Sequence, residues 1–284
     1  MITPELQKID RSIRLLQSIQ KITPPHEQIE VAYSGGKDSD VILQLAKEAG
    51  INYRAIYKNT TIDPPGTVKH ARDMGAEVVM PKESFFRLVE KMGFPNRFTR
   101  FCCGYLKEYK VLNKSIMGIR RDESRARKDR YTEPTACRYY KRSKKPENRV
   151  EAIYPILEWT TEDVEAFVLD RGIKLAPVYY DEDGTLHTER RLGCICCPLA
   201  SNKKRLAQFH QYPNIIKGYI RAGKKYRQTH THTKAYSMYG SVYEWFVRDI
   251  FYESQASWDA DKKPENDAEY YKRKIEQEFN ITLE

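Results

Sequence analysis

Apolar positions at the start of the chain recur at helical spacing. Leu6, Ile9, Ile13 and Leu16 share one face, with Pro4 in the first turn. Thr23-Pro24-Pro25 ends that helix. The pattern then alternates between short apolar runs and helical periods. Strands are predicted at Ile29 to Tyr33, at Tyr53 to Tyr57, and at 76–80 (AEVVM), 114–119 (KSIMGI) and 150–156 (VEAIYPI). Between them lie a helix carrying Val41, Ile42, Leu45 and Ala46 that stops near Gly50, and a short one stopping at Gly75. A third opens near Ser84 with Phe85, Leu88, Val89 and Met92. Thr160 and Asp163 form a capping-box pattern ahead of Val164, Phe167 and Val168. Strands separated by helices, without hairpin signals, predict an α/β chain: a Rossmann-like, doubly wound parallel sheet of about five strands with helices on both faces. Beyond about residue 200 the pattern is helical only. The expected organisation is an N-terminal helix (1–25), an α/β domain (26–200) and a basic helical region (201–284).

Composition narrows the function classes. The 284 residues carry 49 Lys and Arg against 39 Asp and Glu, a formal charge of +10. That excess favours polyanionic partners such as nucleotides or nucleic acid. No apolar run is long enough to cross a bilayer, and the charged N-terminal segment lacks the apolar stretch of a signal peptide. A cytoplasmic protein with no membrane partner is expected. In a reducing compartment, clustered cysteines point to metal or redox chemistry and not to disulfides.

The candidate chemistry starts with Ser34-Gly35-Gly36-Lys37-Asp38-Ser39, placed between the first strand and its helix, where open α/β sheets bind ligands. Adjacent glycines let the backbone approach a phosphate, and the helix N-terminus favours negative charge. Ser34 and Ser39 add hydroxyl donors, Lys37 a positive charge, and Asp38 a carboxylate able to hold Mg2+ against phosphate oxygens. A Walker A loop would place four residues between its glycines, and this one does not. Asn59, Thr60 and Thr61 end the second strand and are candidates for contact with the nucleoside. Arg120 and Arg121 follow the fourth strand, suited to an α-phosphate or an incoming acid; Arg125 and Arg127 fit equally a solvated helix start.

Cys102 and Cys103 are adjacent, and Cys194 and Cys197 form a C-x-x-C about ninety residues later. Four thiolates suffice for tetrahedral zinc or an iron–sulfur cluster. Buried cysteines acting as small apolar residues are the plain alternative. Cys196 is an extra thiol, and Cys137 stands alone as a structural residue.

SGGKDS resembles the pyrophosphate-binding PP-loop of the ATP pyrophosphatase superfamily, which splits ATP into AMP and pyrophosphate. With the cysteine pattern, with MGIRRDESRAR (117–127) and YPILEWTTEDV (154–164), and with an arginine before GC-x-x-CP (191–198), the chain resembles the phosphoadenosine-phosphosulfate (PAPS) reductase family over about residues 28–200. The resemblance implies ATP gripped at its β and γ phosphates by residues 34–39, with Lys37, Asp38, Arg120 and Arg121 as catalytic groups. It also implies a 4Fe-4S cluster on Cys102, Cys103, Cys194 and Cys197. Two departures separate this chain from the reductases of that family. The Lys37-Asp38 pair is kept, and no cysteine follows Cys197 to attack a sulfate sulfur. The implied protein is an ATP-using transferase that activates an acceptor for sulfur incorporation, as in DNA phosphorothioation or tRNA thiolation, with a sulfur donor such as a cysteine desulfurase. A reductase that borrows a partner's thiol, and a non-catalytic nucleotide- or nucleic-acid-binding subunit, are the alternatives.

Residues 201–240 contain no acidic residue. Lys203, Lys204, Arg205, Lys217, Arg221, Lys224, Lys225, Arg227 and Lys234 alternate with Phe209, Tyr212, Tyr219, Tyr226, Tyr236 and Tyr239. Cations with stackable rings suit a nucleic-acid backbone and unpaired bases. The alternative is a solvated helical face whose tyrosines pack inward. A second basic stretch, 138–149, has the same composition, and His230 and His232 fit a loop better than a metal site.

Overall fold

The computed structural model describes residues 4–140, 145–251 and 268–284. These divide into two compact units: Met1–Asn59, Asp63–Pro81 and Leu106–Gly193 form one, Thr60–Ile62, Lys82–Tyr105 and Cys194–Glu284 the other.

The first unit is built on a six-stranded sheet. Its strands are β1 (Ile29–Tyr33), β2 (Tyr53–Lys58), β3 (Glu77–Val79), β4 (Lys114–Ile116), β5 (Thr135–Tyr139) and β6 (Arg149–Ile153), in the order β3-β2-β1-β4-β6-β5. The order reverses direction at β1, as a doubly wound sheet requires. All neighbours are parallel except β5, which pairs antiparallel with β6, Cys137 opposite Glu151. The five predicted strands are present, and the Rossmann-like α/β class holds. The sixth strand and its hairpin correct the purely parallel sheet. Thr135–Tyr139 is an edge strand with no buried position, so it lacks the apolar alternation that marks a half-buried strand. Cys137 on it is exposed, with Arg149 Nε donating to its sulfur at 3.1 Å.

Residues of the central strands serve two cores. Ile29, Val31, Tyr33, Ile116 and Ile153 join one that also takes Leu16 of α1 (Pro4–Lys21) and Val41, Ile42 and Leu45 of α2 (Lys37–Glu48). Val150 and Ala152 join a smaller one with Met117, Tyr140, Tyr154 and Leu157. The helices α3 (Thr67–Asp73) and α6 (Arg125–Arg130) belong to this unit, as does α7 (Thr161–Asp170), which opens with the expected capping box on Thr160 and Asp163.

The second unit is helical: α4 (Phe85–Met92), α5 (Phe101–Leu106, whose last residue belongs to the sheet unit), α8 (Asn202–Gln211), α9 (Asn214–Thr229), α10 (Lys234–Met238), α11 (Val242–Phe246) and α12 (Ala268–Phe279). Its centre is aromatic. Phe94 stacks on Trp245 with ring centroids 4.0 Å apart, and Tyr219 meets Phe85, Phe86, Phe94, Phe209 and Phe246. Phe209, Tyr219, Tyr226 and Tyr239 are therefore core residues, and Arg205 is buried too. The expected surface of cations and rings keeps most of its cations but only Tyr236 and the half-buried Tyr212 of its rings, because the others recur at the 3.6-residue period that turns them inward. Lys203, Lys204, Arg221, Lys225 and Lys234 remain exposed. In the stretch 138–149, residues 141–144 lie outside the described residues. His230 stacks on Tyr226, centroids 4.2 Å apart, at the end of α9.

Candidate active site

The loop Ser34–Ser39 leaves the carboxyl end of β1 and enters α2, whose N-cap residue, Gly36, supplies no side-chain cap. The positive end of the helix dipole favours an anion at this point. Gly35 holds φ at 77°, and a Cβ there would stand 2.8 Å from Thr67 Cγ2, so only glycine fits without displacing α3. Gly118, after β4, plays the same part on the other side, since a Cβ would come within 2.9 Å of the Asp38 carbonyl oxygen. Ser39 Oγ donates to Gly36 O at 2.6 Å and Gly36 N–H to Ser34 Oγ at 3.4 Å, which tightens the turn.

A buried cluster lies beneath the loop. Asp40, in the first turn of α2, is fully enclosed; the Tyr33 hydroxyl donates to its carboxylate, and His70 Nε2 of α3 lies 3.0 Å from Oδ1. Burial raises the Asp40 carboxyl above its ordinary range, against the hydrogen bond from His70. This network ties α2 to β1 and α3 and so fixes the base of the loop.

The charges converge on Asp38. Arg120 Nε donates to its Oδ1 at 2.7 Å, and Lys37 Nζ lies 3.7 Å from its Oδ2. Arg120 is only 2% exposed, and its guanidinium also reaches Trp159 O and Thr161 Oγ1 at 3.4 Å each. Lys37 is 4% exposed, and burial pulls its ammonium below the ordinary lysine value; Asp38 opposes that, while Arg120 and Arg191 add to it. Arg127, paired with Glu123, is likewise lowered by burial first; Tyr131 and Asp38 oppose that, while Arg191 and Arg120 add to it. Positive charge gathers beside Asp38, with Asp122 paired to Arg120 and Glu123 to Arg127, an arrangement suited to a phosphate chain.

The expected site residues separate into groups. Ser34, Gly35, Gly36, Lys37, Asp38, Ser39 and Arg120 come together. Arg121 is turned to Glu158 at 2.9 Å. Asn59 closes β2 against β3, its N–H donating to Val79 O at 3.0 Å. Thr60 belongs to the helical unit, where the Cys194 thiol donates to its Oγ1 at 3.6 Å. Two residues near the loop had no place in the sequence reading as site residues: Arg191, whose signal was its position before the C-x-x-C, and Tyr179, which had none.

Cys102, Cys103, Cys194 and Cys197 all lie in the helical unit and all are partly exposed. The Cys102 thiol is pushed far up, first by its hydrogen bond with Cys103, then by burial and by the charges of Cys103, Cys194 and Cys197. The four sulfurs are thus within electrostatic reach of one another. Among the described residues, however, no three His, Cys, Asp or Glu side chains converge in a metal-binding arrangement. Four thiols are nonetheless the donor chemistry that suits a soft cation. Cys196 stands apart: it is buried, with φ at 56°, and its N–H donates to Gln208 Oε1 at 2.9 Å.

Residues 28–200 match the family model of the phosphoadenosine phosphosulfate reductase domain. The chain belongs to that family. An uncharacterised protein of Methanocaldococcus jannaschii is 29% identical over 212 residues, covering 70% of this chain and 48% of its own length; the chain thus spans about half of that relative. Among solved structures, similarity extends to Candida glabrata FMN adenylyltransferase (15% identity, 62% of this chain and 58% of that one, TM-score 0.42). It extends also to the PAPS reductase of Candida auris in a phosphate complex (18%, 62% and 90%, TM-score 0.39). The third is the U34-tRNA thiolase NcsA of Methanococcus maripaludis with its 4Fe-4S cluster (16%, 81% and 81%, TM-score 0.44). No helix among the described residues is long and apolar enough to cross a membrane.

Proposed function

We propose that the chain is an ATP pyrophosphatase-type enzyme that adenylylates an acceptor and releases pyrophosphate, preparing that acceptor for sulfur incorporation. The observation that carries this reading is the loop itself: Lys37 and Asp38 open α2 directly after two glycines, with Arg120 on Asp38. Such a cradle matches a leaving group with several negative charges. An oxygen of the acceptor attacks the α-phosphorus, the bond from that phosphorus to the bridging oxygen breaks, and pyrophosphate departs with the electron pair. Lys37, the loop amides and Arg120 offset the charge that grows on the departing group. Asp38 would hold a Mg2+ that takes its remaining ligands from phosphates and water. A sulfur nucleophile then displaces AMP from the adenylylated acceptor.

Cys102, Cys103, Cys194 and Cys197 would hold a 4Fe-4S cluster, or zinc in its place. Bound there, the group would supply a site to hold or relay sulfur, or a structural tie. The exposed cations of α8, α9 and α10 (Lys203, Lys204, Arg221, Lys225 and Lys234) support nucleic acid, DNA or tRNA, as the acceptor. A cysteine desulfurase is a fitting sulfur donor, and an intracellular setting fits the free thiols. The family assignment favours a second reading, a sulfonucleotide reductase served by a partner's thiol; sulfite release from PAPS or adenylyl sulfate would identify it.

The test is an anaerobic assay of AMP and pyrophosphate formed from ATP, with and without DNA or tRNA. Pyrophosphate release stimulated by the acceptor is expected, with AMP in equal amount once sulfide is supplied to displace it. Lys37→Ala is expected to lower the rate at least about a hundred-fold with the far-ultraviolet circular dichroism unchanged. A rate that survives this substitution would overturn the reading.

A further inference from the structure

Tyr179 has no part in the scheme above, yet it touches the centre of the loop. Its ring is 2% exposed, and its phenol oxygen accepts from the Lys37 N–H, the first amide of α2, at 3.1 Å. Gly36 makes room for it, since a Cβ there would stand 3.3 Å from the phenol oxygen.

Residues 178–192 fold back on themselves around this tyrosine. The His187 N–H donates to Tyr179 O at 2.7 Å, and Tyr180 bridges antiparallel to Leu186. The Arg190 guanidinium reaches Val178 O at 3.5 Å and Tyr180 O at 3.2 Å. The segment therefore closes on its own backbone, and Tyr179 supplies a side-chain attachment to α2 through a single oxygen. Arg191 sits next to Leu192 at the end of this segment. Its guanidinium donates to Glu123 O at 3.2 Å, and its charge is felt at Lys37 and Arg127.

We propose that Tyr179 is a positioning residue whose phenol oxygen pins the 178–192 segment to the first turn of α2, and thereby sets Arg191 as a further cation facing the phosphates of the nucleotide. The role of Arg191 rests on the nucleotide reading given above; the pin itself does not. A buried hydroxyl that accepts from the Lys37 amide holds the two segments in one geometry, because losing it leaves a buried donor unsatisfied.

Tyr179→Phe keeps the ring and removes the oxygen. Binding of inorganic pyrophosphate with Mg2+, measured by calorimetry, is compared for the natural chain, Tyr179→Phe, Arg191→Gln and the double variant. Each single change is expected to weaken binding about ten-fold, and the double variant to bind no more weakly than Arg191→Gln alone. Limited trypsin digestion gives an independent readout: cleavage after Arg190 and Arg191 is expected to be several-fold faster in Tyr179→Phe, with unchanged circular dichroism. Unchanged or tighter pyrophosphate binding in Tyr179→Phe, or additive losses in the double variant, would overturn the positioning of Arg191. A natural chain that binds no pyrophosphate overturns the nucleotide reading, and Arg191's role falls with it. Unchanged trypsin sensitivity overturns the pin.

Discussion

Lys37 shows how the site sets its own working range. Burial and the nearby guanidinium groups of Arg120 and Arg191 hold its ammonium below the ordinary value of 10.5, while Asp38 partly restores it. A bound polyphosphate adds negative charge and so raises it again. Between the two values, binding takes up a proton, and affinity falls as pH rises. Pyrophosphate affinity is therefore expected to decline at a pH below the ordinary lysine range, and Lys37→Arg is expected to flatten that decline because a guanidinium stays charged. Calorimetric titrations across the alkaline range check this; equal slopes for both proteins would contradict it. At this scale the sequence was informative where chemistry was contiguous. Residues 34–39 announce themselves because six neighbours share one task. Tyr179 lies 142 positions from Lys37 and was invisible, since no local pattern marks a tyrosine whose partner is a distant amide.

At the scale of elements, legibility followed burial. β1, with four of its five residues buried, and the helix after it were readable from their apolar runs. Thr135–Tyr139 was not, because an exposed edge strand has no hydrophobic face to give a period. The helical unit shows the opposite error. Ile216, Tyr219, Ile220, Gly223 and Tyr226 recur at the spacing of one helix face and are buried along α9, yet the surrounding lysines drew attention to a surface. Phe94 shows what those rings contribute. It packs on Trp245, Tyr219 and Phe246, and Gly223 leaves it space, since a Cβ there would come 2.7 Å from Phe94 Cζ. Phe94→Ala is expected to cost about 3–5 kcal/mol in urea unfolding, and Phe94→Leu clearly less. Equal losses for the two would mean that ring volume does not support the unit.

Across the whole molecule, chemistry is divided between two compact units. The phosphate loop belongs to the sheet, while the four thiols and the exposed cations belong to the helices. The family's order of motifs made this inventory readable, but the composition of the helical unit does not. Thr60–Ile62 and Lys82–Tyr105 join it from within the α/β stretch, a grouping set by tertiary packing and not by any break in composition. Fold class and the loop were thus legible because local pattern and topology agree there. The pairing of Arg120 with Asp38, and of Arg127 and Arg191 with Glu123 beside it, needed the folded chain. The proposed function depends on this site receiving the end of a triphosphate. The direct measurement is a crystal structure with a non-hydrolysable ATP analogue and Mg2+. The β and γ phosphates should lie against the loop 34–39, within hydrogen-bonding distance of Lys37 Nζ. A nucleotide bound with those phosphates directed away from the loop would contradict the account.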